Sequence, residues 1–451
     1  MQKKPNPRIH FIHVDSMGNK GTQALFKTDV LTLNSLFKKK VTISASTTDL
    51  AGVRKLNLPL DAIIPPMVDV PYEKADQLAR RYGVKRESMS YKILMLSTII
   101  YMCLQISLSL LSIIAVKLGL RAPYRRNAIE RLSRCDLIIS HSDESFKETA
   151  SMLPLNPYWA ATWWTMLTAR TFEILVSKSL NRPVILFPNS VGPFRTKIGQ
   201  FLSRLALNSF DHLLIRDEIS WGILNELAIT SSRTLTYDTA ILFHSRYDAV
   251  LHGLTKPIVA VAPGVYSHSL SKKEVERYII AHSEALDVAA EKHGFSILFL
   301  PHYVSGFRFD DLWICEQIMS RMENHEHVKL HCAQTVEEYK SLFDQVDMII
   351  SSKMHPAVLG SSGFVPILCI VYDHKQTSFF ERLKMAECTI EIRRVTYERL
   401  LGKIDEVWAN RGRLEASLRA QIPVWQKHVK ETIARTLASF LEVDELKTLG
   451  E

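Results

Sequence analysis

Short apolar runs alternate with segments of helical period along almost the whole chain, and no other feature constrains the fold as strongly. In the first half, the predicted strands are residues 9–14, 41–44, 137–140, 184–188 and 212–215. In the second half, they are residues 258–262, 297–301, 328–330, 348–351 and 366–372. Strands that alternate with helices form parallel sheets joined by helical crossovers. The sequence therefore predicts an α/β protein.

The predicted helices fill the spaces between these strands. In the first half they are residues 22–36, 159–179, 198–208 and 220–227; in the second half they are 272–292, 310–322, 336–345 and 356–362, followed by a long helical C-terminus. The alternation restarts after about residue 250, and a chain of 451 residues is longer than one hydrophobic core usually uses. We therefore predict two doubly wound Rossmann-like domains, at residues 1–245 and 246–451. Ligands of such domains lie beyond the carboxyl ends of the strands, so motifs directly after strands matter most.

One apolar segment does not fit this alternation. Residues 93–116 contain no charged side chain, and they are flanked by Lys92, Lys117 and Arg121. Their length would suffice to span a bilayer, but a single crossing would separate strands that we assign to one sheet. We interpret the segment as a hydrophobic insertion at about residues 91–120. It is either a buried helix pair or an element that rests on a membrane surface.

Charge and cysteine content narrow the classes of partner. The net charge is +9, but the basic residues are scattered along the chain, which favours anionic small substrates or a membrane surface over nucleic acid. The six cysteines form no CxxC pair and have no zinc-like spacing with histidine. We therefore expect neither disulfides nor a bound metal. The expected location is the reducing cytoplasm, including the inner face of the membrane.

The first motif joins the first predicted strand to its helix. Gly18, Asn19 and Gly21 lie in this turn, where backbone N–H groups at a helix N-terminus favour an anion. A tight turn without a ligand fits the same residues, because two glycines alone are a weak signal.

Further candidate residues follow later strands of the first half. Ser190 and Gly192 lie in a segment that ends in a rigid Gly-Pro turn, of which Gly192 is the glycine. Arg216 follows the next strand, and it either binds an anion or pairs with the neighbouring Asp217 or Glu218. Asp238 follows another short strand, a position at which aspartate more often caps a helix or forms a turn than acts as a catalytic acid.

The second half places three basic side chains after two adjacent strands. Lys353 and His355 follow the strand at 348–351, and Lys375 follows the strand at 366–372. The pKa of histidine lets it exchange protons near neutral pH, so His355 is a candidate acid. Alternatively, His355 only caps the helix that follows it.

Together these features resemble the polysaccharide pyruvyl transferase family between about residues 9 and 384. In chain order they are Gly-Asn-x-Gly at 18–21, Ser-x-Gly-Pro-Phe at 190–194, Arg-Asp-x-x-Ser at 216–220, Asp238, Ser-x-x-x-His at 351–355 and Tyr-x-x-Lys at 372–375. The resemblance implies a fold similar to the glycosyltransferase-B architecture, with the active site between the domains. It also implies that Arg216, Lys353 and His355 hold phosphoenolpyruvate and that Lys375 completes the anion site.

The reaction that this resemblance implies moves a pyruvyl group from phosphoenolpyruvate to a sugar as a ketal. Phosphoenolpyruvate is then the donor substrate, no cofactor is expected, and the acceptor is a polysaccharide or a lipid-linked saccharide. His355 is the expected acid. The base is not identified, and Asp15, Asp143 and Asp238 are its candidates at strand ends.

The chain departs from the family pattern at three places, one of which is the hydrophobic segment at residues 93–116, which has no counterpart in a minimal two-domain transferase. Lys353 stands where the family usually has arginine, and residues 141–144, His-Ser-Asp-Glu, replace an expected pair of glycines. Two alternative functions stay open. One is a glycosyltransferase-B-like enzyme that uses a nucleotide sugar, and the other is a non-catalytic, membrane-associated factor of polysaccharide assembly.

Overall fold

Two parallel β-sheets form the framework of the computed structural model, which describes residues 6–37, 41–86, 88–251, 253–265, 270–304 and 310–441. The first sheet contains β1 (Arg8–Val14), β2 (Thr42–Thr47), β3 (Ala62–Ile64), β4 (Leu137–Ser140), β5 (Val184–Asn189), β6 (His212–Ile215) and β7 (Ser232–Leu235). The second sheet contains β8 (Ile258–Ala262), β9 (Ser296–Phe299), β10 (Val328–Leu330), β11 (Met348–Ser351), β12 (Ile367–Val371) and β13 (Thr389–Glu391).

Both sheets have the strand order of a doubly wound fold. The order is β3-β2-β1-β4-β5-β6-β7 in the first sheet and β10-β9-β8-β11-β12-β13 in the second. All neighbouring strands pair in parallel. The direction of winding reverses between β1 and β4 and again between β8 and β11. These two reversals are the topological switch points of the sheets, beside which ligands of such folds bind.

Helices cover both sheets and connect their strands. Those of the first half are α1 (Lys20–Leu36), α2 (Leu50–Lys55), α3 (Pro71–Tyr82), α4 (Met89–Lys117), α5 (Arg126–Arg134), α6 (Pro157–Ser179), α7 (Lys197–Leu207) and α8 (Glu218–Glu226). Those of the second half are α9 (Lys272–His293), α10 (Asp311–Met319), α11 (Val336–Phe343), α12 (Met354–Ser362), α13 (His374–Arg382), α14 (Tyr397–Ala409) and α15 (Arg411–Phe440). The central strands are buried on both faces, as their continuous apolar sequences predict.

The C-terminal helix α15 returns to the first sheet. Trp425 of α15 stacks on Tyr237, which follows β7, with ring centroids 4.2 Å apart. The side-chain amide of Gln426 donates to the carbonyl of Ile241 at 2.8 Å. The C-terminal helix therefore holds the two halves of the chain together beside the ends of β6 and β7.

The apolar segment forms one continuous helix, α4, and the prediction of a buried helix pair is wrong. Among the described residues, α4 alone has the length and composition of a membrane-spanning helix, and only 28% of its most apolar stretch is buried. Two short strands, β3 and β13, were not predicted, because three residues are too few to give a clear pattern of alternation.

Candidate active site

The carboxyl ends of the two sheets meet at their switch points. Gly21, which follows β1, packs directly against the imidazole of His355, which follows β11, so that a Cβ atom on Gly21 would overlap the ring. The backbone N–H of Lys20 donates to the carbonyl of His302, which follows β9, at 3.4 Å. A substrate at this junction would contact loops of both sheets.

His355 is buried at the centre of this junction. Its ring lies nearly parallel to that of His302, with centroids 6.0 Å apart, and its Nε2 atom has no hydrogen-bond partner among the described residues. Burial lowers the pKa of His355, while the carboxylates of Asp238 and Asp143 partly oppose this shift. The alternative that His355 caps a helix is wrong, because Lys353 occupies the N-cap of α12 and no side chain makes a capping hydrogen bond there.

Arg216 follows β6 and is also buried. Its Nη1 donates to Asp238 at 2.7 Å and its Nε donates to the hydroxyl of Ser190 at 2.8 Å. Its Nη2 finds no hydrogen-bond partner in the described part of the chain. Burial alone lowers the pKa of Arg216, but the charge of Asp238 raises it overall, so that the guanidinium stays protonated. The alternative that Arg216 pairs with Asp217 or Glu218 is wrong, because Arg216 pairs with Asp238, while Asp217 caps α8 and Glu218 pairs with Arg382.

Lys375 joins the site through a carboxylate of the first sheet. Its ammonium pairs with Glu144, which also pairs with Lys147. Lys147 in turn lies 3.8 Å from Asp373, the N-cap of α13. Burial would raise the pKa of Glu144, but the two lysines lower it strongly, so Glu144 is ionised. Burial lowers the pKa of Lys375, and Glu144 partly opposes that shift.

Lys353 lies beside this cluster and has a partner of its own. Its Nζ is 3.1 Å from a carboxylate oxygen of Asp311, the first residue of α10. Gly264, which follows β8, leaves room for the lysine stem, because a Cβ atom there would overlap it. The structure therefore places Lys353 at the switch point of the second sheet, as its position after β11 predicts.

The backbone N–H groups of the turn after β1, which the sequence offers as an anion site, already have partners at Gly18, Lys20 and Gly21. Asn19 caps α1, and its side-chain oxygen accepts the N–H of Gly21 at 2.8 Å, so this N–H is not available to a ligand. Gly18 lies against the ring of Tyr303. Gly192 has a φ of 73°, which favours glycine, and its N–H donates to the carbonyl of Phe146. Gly21 and Gly192 thus shape the site, and the structure gives them no free donor.

Ser190, Arg216, Asp238, Met354 and Lys375 line a cavity of about 10 Å³. This is room for roughly one water molecule. Arg216 and Lys375 line the cavity and Lys353 lies near it, and each of these cations follows a different strand. The site is therefore suited to an anion. In the described ranges, no three histidine, cysteine or carboxylate side chains are grouped to hold a metal ion.

The three candidate bases differ in their surroundings. Asp238 pairs with Arg216, and Asp15 accepts two hydrogen bonds from Arg170 at 2.5 and 2.7 Å. Asp143 accepts a hydrogen bond from the hydroxyl of Thr22 at 3.1 Å. Burial would raise the pKa of Asp143, but His355 in its protonated form, His141 and the Arg216 guanidinium together lower it. Asp143 is therefore an ionised carboxylate near His355 without a direct arginine partner among the described residues.

Sequence reasoning missed several residues of this junction, namely His302, Asp311, Glu144, Lys147 and Asp373. A signal was available for two of them, because Glu144 and Lys147 closely follow β4. In the stretch His-Ser-Asp-Glu at 141–144, the sequence indicates a role only for Asp143, as a candidate base, and none for Glu144. In the structure it supplies both Asp143 and Glu144.

Comparison with known protein families and sequences finds a family and a curated relative that this chain resembles. A family model described as polysaccharide pyruvyl transferase matches residues 67–374. The amylovoran biosynthesis protein AmsJ of Erwinia amylovora is 19% identical over 285 residues, covering 60% of this chain and 66% of that protein. The chain therefore spans just under two thirds of the length of that relative.

Solved structures share the architecture. The UDP-GlcNAc 2-epimerase of Neisseria meningitidis, bound to UDP-GlcNAc, superposes with a TM-score of 0.56 at 11% identity, covering 96% of this chain and 100% of that one. A putative UDP-N-acetylglucosamine 2-epimerase of Listeria monocytogenes gives a TM-score of 0.56 at 9% identity, covering 98% of each chain. At such identities the likeness shows the fold alone, and it confirms the predicted α/β fold with glycosyltransferase-B-like architecture.

Proposed function

Because the chain belongs to the polysaccharide pyruvyl transferase family, we propose that it transfers the pyruvyl group of phosphoenolpyruvate to a sugar as a ketal. The observation that carries this proposal is the pair of unused nitrogen atoms at the junction. Nε2 of His355 and Nη2 of Arg216 are both buried without a hydrogen-bond partner among the described residues. Buried polar groups are nearly always paired, so both atoms are expected to meet a ligand.

The charges at the junction match those of the donor. Phosphoenolpyruvate carries a phosphate and a carboxylate, and each binds best to charged hydrogen-bond donors. Arg216 supplies a free N–H, and Lys375 lies on the same cavity. In the proposed complex, Arg216 and Lys375 hold the donor, and Lys353 completes the positive field from the second sheet.

The site must rearrange to admit the donor. The cavity of about 10 Å³ is far smaller than phosphoenolpyruvate, and each cation is already paired with a carboxylate. Of these carboxylates, Glu144 is the easiest to displace from its lysine in the site, because it pairs with Lys147 as well as with Lys375. We propose that the donor's anionic groups replace Glu144 at Lys375 when the loops of the two sheets separate.

His355 acts as the acid in the proposed reaction. It donates a proton to the methylene carbon of phosphoenolpyruvate, which makes the adjacent carbon electrophilic. A sugar hydroxyl adds to that carbon and loses its proton to a base. The C–O bond to phosphate then breaks, a second hydroxyl of the sugar adds, and its proton leaves with the phosphate. Asp143 is the proposed base, because it is ionised and lies near His355.

The lowered pKa of His355 has a consequence for this role. In the free protein, burial favours the neutral imidazole. The negative charges of phosphoenolpyruvate favour the protonated form, because an opposite charge nearby stabilises it. Binding of the donor would therefore favour protonation of His355, and the protonated form is the one that can act as the acid.

The remaining features of the proposal follow from the reaction. Phosphoenolpyruvate is the donor substrate, and no cofactor is needed. The acceptor is a polysaccharide or a lipid-linked saccharide, and the cytoplasm, where phosphoenolpyruvate is available, is the proposed location. The family match favours an enzyme over a non-catalytic assembly factor.

Thermal unfolding tests the donor. A ligand that binds only the folded state stabilises it by about 2.7 kcal/mol at about 100 times its Kd. Phosphoenolpyruvate should therefore raise the Tm of the purified protein, whereas UDP-sugars should not. Stabilisation by a UDP-sugar and none by phosphoenolpyruvate would favour the nucleotide-sugar alternative.

A further inference from the structure

The helix α4 has an unusual distribution of polarity. Its Gln105 and three of its hydroxyl residues, Thr98, Ser109 and Ser112, are buried against the protein. Gln105 accepts a hydrogen bond from the backbone N–H of Asp69 at 3.0 Å and donates to the Asp69 carboxylate at 3.1 Å. The hydroxyl of Ser112 accepts the N–H of Tyr124 at 2.9 Å. The buried face of α4 is thus fixed by hydrogen bonds.

The opposite face of α4 is apolar and exposed. Six side chains at helical spacing are each between 53% and 63% exposed: Ile93, Leu96, Ile100, Leu104, Leu111 and Ile114. A surface helix in water normally turns its apolar face inward and its polar face outward. On α4 the amide lies inside and the apolar stripe outside, which indicates that the stripe does not face water in the working protein.

A neighbouring helix extends this apolar surface. Ile198, Phe201 and Leu205 of α7 are exposed at the same helical spacing. Between α4 and α7 lies an open groove of about 600 Å³, with Ile99, Trp164 and Phe201 among its lining residues. The two helices therefore present one continuous surface, which we call the α4–α7 surface.

All charges in the two segments that form this surface are positive. Residues 88–129 and 195–210 contain no aspartate or glutamate. Lys92, Lys117, Arg121 and Lys197 are exposed along them. An apolar face edged by lysine and arginine is suited to a bilayer with anionic headgroups. Two copies of this surface would instead bring like charges together.

We propose that the α4–α7 surface docks on an anionic lipid bilayer, with α4 lying along the membrane and not through it. The hydrogen bonds of Gln105 hold α4 against the loop before α3, and the hydrogen bond of Ser112 holds it against the loop before α5. A crossing would break these bonds and leave polar groups unpaired in the hydrocarbon. The exposed apolar stripe would instead enter the boundary between headgroups and acyl chains.

The surface lies close to the candidate active site. Trp164 of the groove donates a hydrogen bond to Glu148 at 2.5 Å. Lys147, which pairs with Glu144 in the site, lies over the ring of the adjacent Trp163 at 5.2 Å. This step rests on the proposed function: a docked enzyme would receive the saccharide of a lipid-linked acceptor near its cleft.

Flotation of the full-length protein with lipid vesicles tests the docking. The protein should float with vesicles that contain phosphatidylglycerol and much less with vesicles of phosphatidylcholine alone. Replacing three stripe residues (Ile100→Ser, Leu104→Ser and Leu111→Ser) should lower partitioning by about tenfold or more, since apolar burial drives it. The matched control is Ile280→Ser, Val288→Ser and Val424→Ser, which alters exposed apolar residues on other helices and should leave partitioning unchanged.

A second pair of changes tests the charges independently. Lys117→Gln with Arg121→Gln should lower partitioning by about fivefold for each charge removed, and less so at high salt. Phosphate release from phosphoenolpyruvate with a water-soluble saccharide should be the same in all these variants. That assay separates a failure of docking from a failure of the proposed function.

Three results would overturn the proposal. In the first, the wild-type protein stays in solution with both kinds of vesicle. In the second, bound protein resists extraction with alkaline carbonate, which would mean that α4 spans the bilayer. In the third, the stripe variant changes a dimer into a monomer in lipid-free buffer while vesicle binding is unaltered, which would mean that the surface joins two copies of the chain.

Discussion

Single atoms decide the geometry of the candidate site. Gly21 has no Cβ, and only for that reason can the imidazole of His355 approach the turn after β1. The same holds for Gly264 and the stem of Lys353. Gly21 follows β1 of the first sheet, so its contact with His355 joins the two sheets. Gly264 follows β8, so its contact with Lys353 lies within the switch point of the second sheet. The absence of a side chain at two positions therefore allows the imidazole of His355 and the ammonium of Lys353 to take their places in the site.

Replacing His355 tests its proposed role as the acid. His355→Gln should lower turnover by about 10² to 10⁴-fold, the usual range for a general acid. Phosphoenolpyruvate binding should weaken less, because Arg216 and Lys375 still hold its charges. The measurements are kcat from phosphate release and Kd from calorimetry.

The matched control for this variant is His10→Gln. His10 is a fully buried histidine within β1, bonded to the hydroxyls of Ser44 and Ser46. Its loss should reduce stability without a selective loss of kcat. A folded His355→Gln protein with near-normal kcat would rule out the acid assignment.

Arg216 and Asp238 form a buried ion pair. A double substitution can distinguish the contribution of this pair to stability from the contribution of Arg216 to donor binding. Arg216→Gln should reduce the free energy of unfolding by about 3 to 5 kcal/mol, since it leaves the Asp238 carboxylate without its cation. Adding Asp238→Asn should restore most of that stability. Both proteins should bind phosphoenolpyruvate about 10 to 100-fold more weakly, because a charged donor to the ligand is gone.

Urea unfolding and calorimetry measure these two effects. The double variant is the decisive one, because its stability is largely repaired. If it binds phosphoenolpyruvate as tightly as the wild type, Arg216 is only a structural partner of Asp238.

The sequence predicted the positions of His355, Arg216 and Lys375 but not their partners. Each of these residues follows a strand, and parallel strands end at a common edge, so their grouping could be inferred. The pairing of Lys375 with Glu144 could not, because it depends on how two separate sheets face each other. The sequence offered only the neighbouring Asp217 and Glu218 as partners of Arg216, whereas the structure pairs it with Asp238, which lies 22 residues further along the chain.

Among the secondary-structure elements, α4 differs most from its prediction. The sequence predicts either a buried helix pair or an element that rests on a membrane, and the structure has one continuous helix from Met89 to Lys117. The pattern could not show which face packs inward, because the usual rule turns apolar residues toward the core. Here the hydrogen bonds between Gln105 and Asp69 decide the orientation.

A pair of adjacent substitutions on α4 tests this inverted orientation. Gln105→Leu should destabilise the protein in aqueous buffer by about 1 to 3 kcal/mol, since it leaves the buried backbone N–H of Asp69 without its acceptor and removes one donor to the Asp69 carboxylate. Leu104→Gln, one position away on the exposed face, should change stability by about 0.5 kcal/mol or less. Chemical unfolding measures both. The opposite ranking would mean that the amide faces solvent and the leucine the core.

At the scale of the whole molecule, the alternation of strands and helices was sufficient to predict two parallel sheets. It could not predict that α15 returns to the first sheet, where Trp425 stacks on Tyr237. That contact holds the C-terminal helix against the first sheet, close to the junction at which the two switch points meet. The site is therefore a property of the arrangement of both sheets, and neither sheet contains all of it.

The most direct test is a transfer reaction with the purified protein, phosphoenolpyruvate and lipid-linked saccharides extracted from cell membranes. Phosphate release is measured together with mass spectrometry of the saccharide. The proposed function predicts that phosphate and a pyruvate ketal form together, and that both are lost with His355→Gln. Transfer of a sugar from a nucleotide sugar to the saccharide, with no ketal from phosphoenolpyruvate, would contradict it.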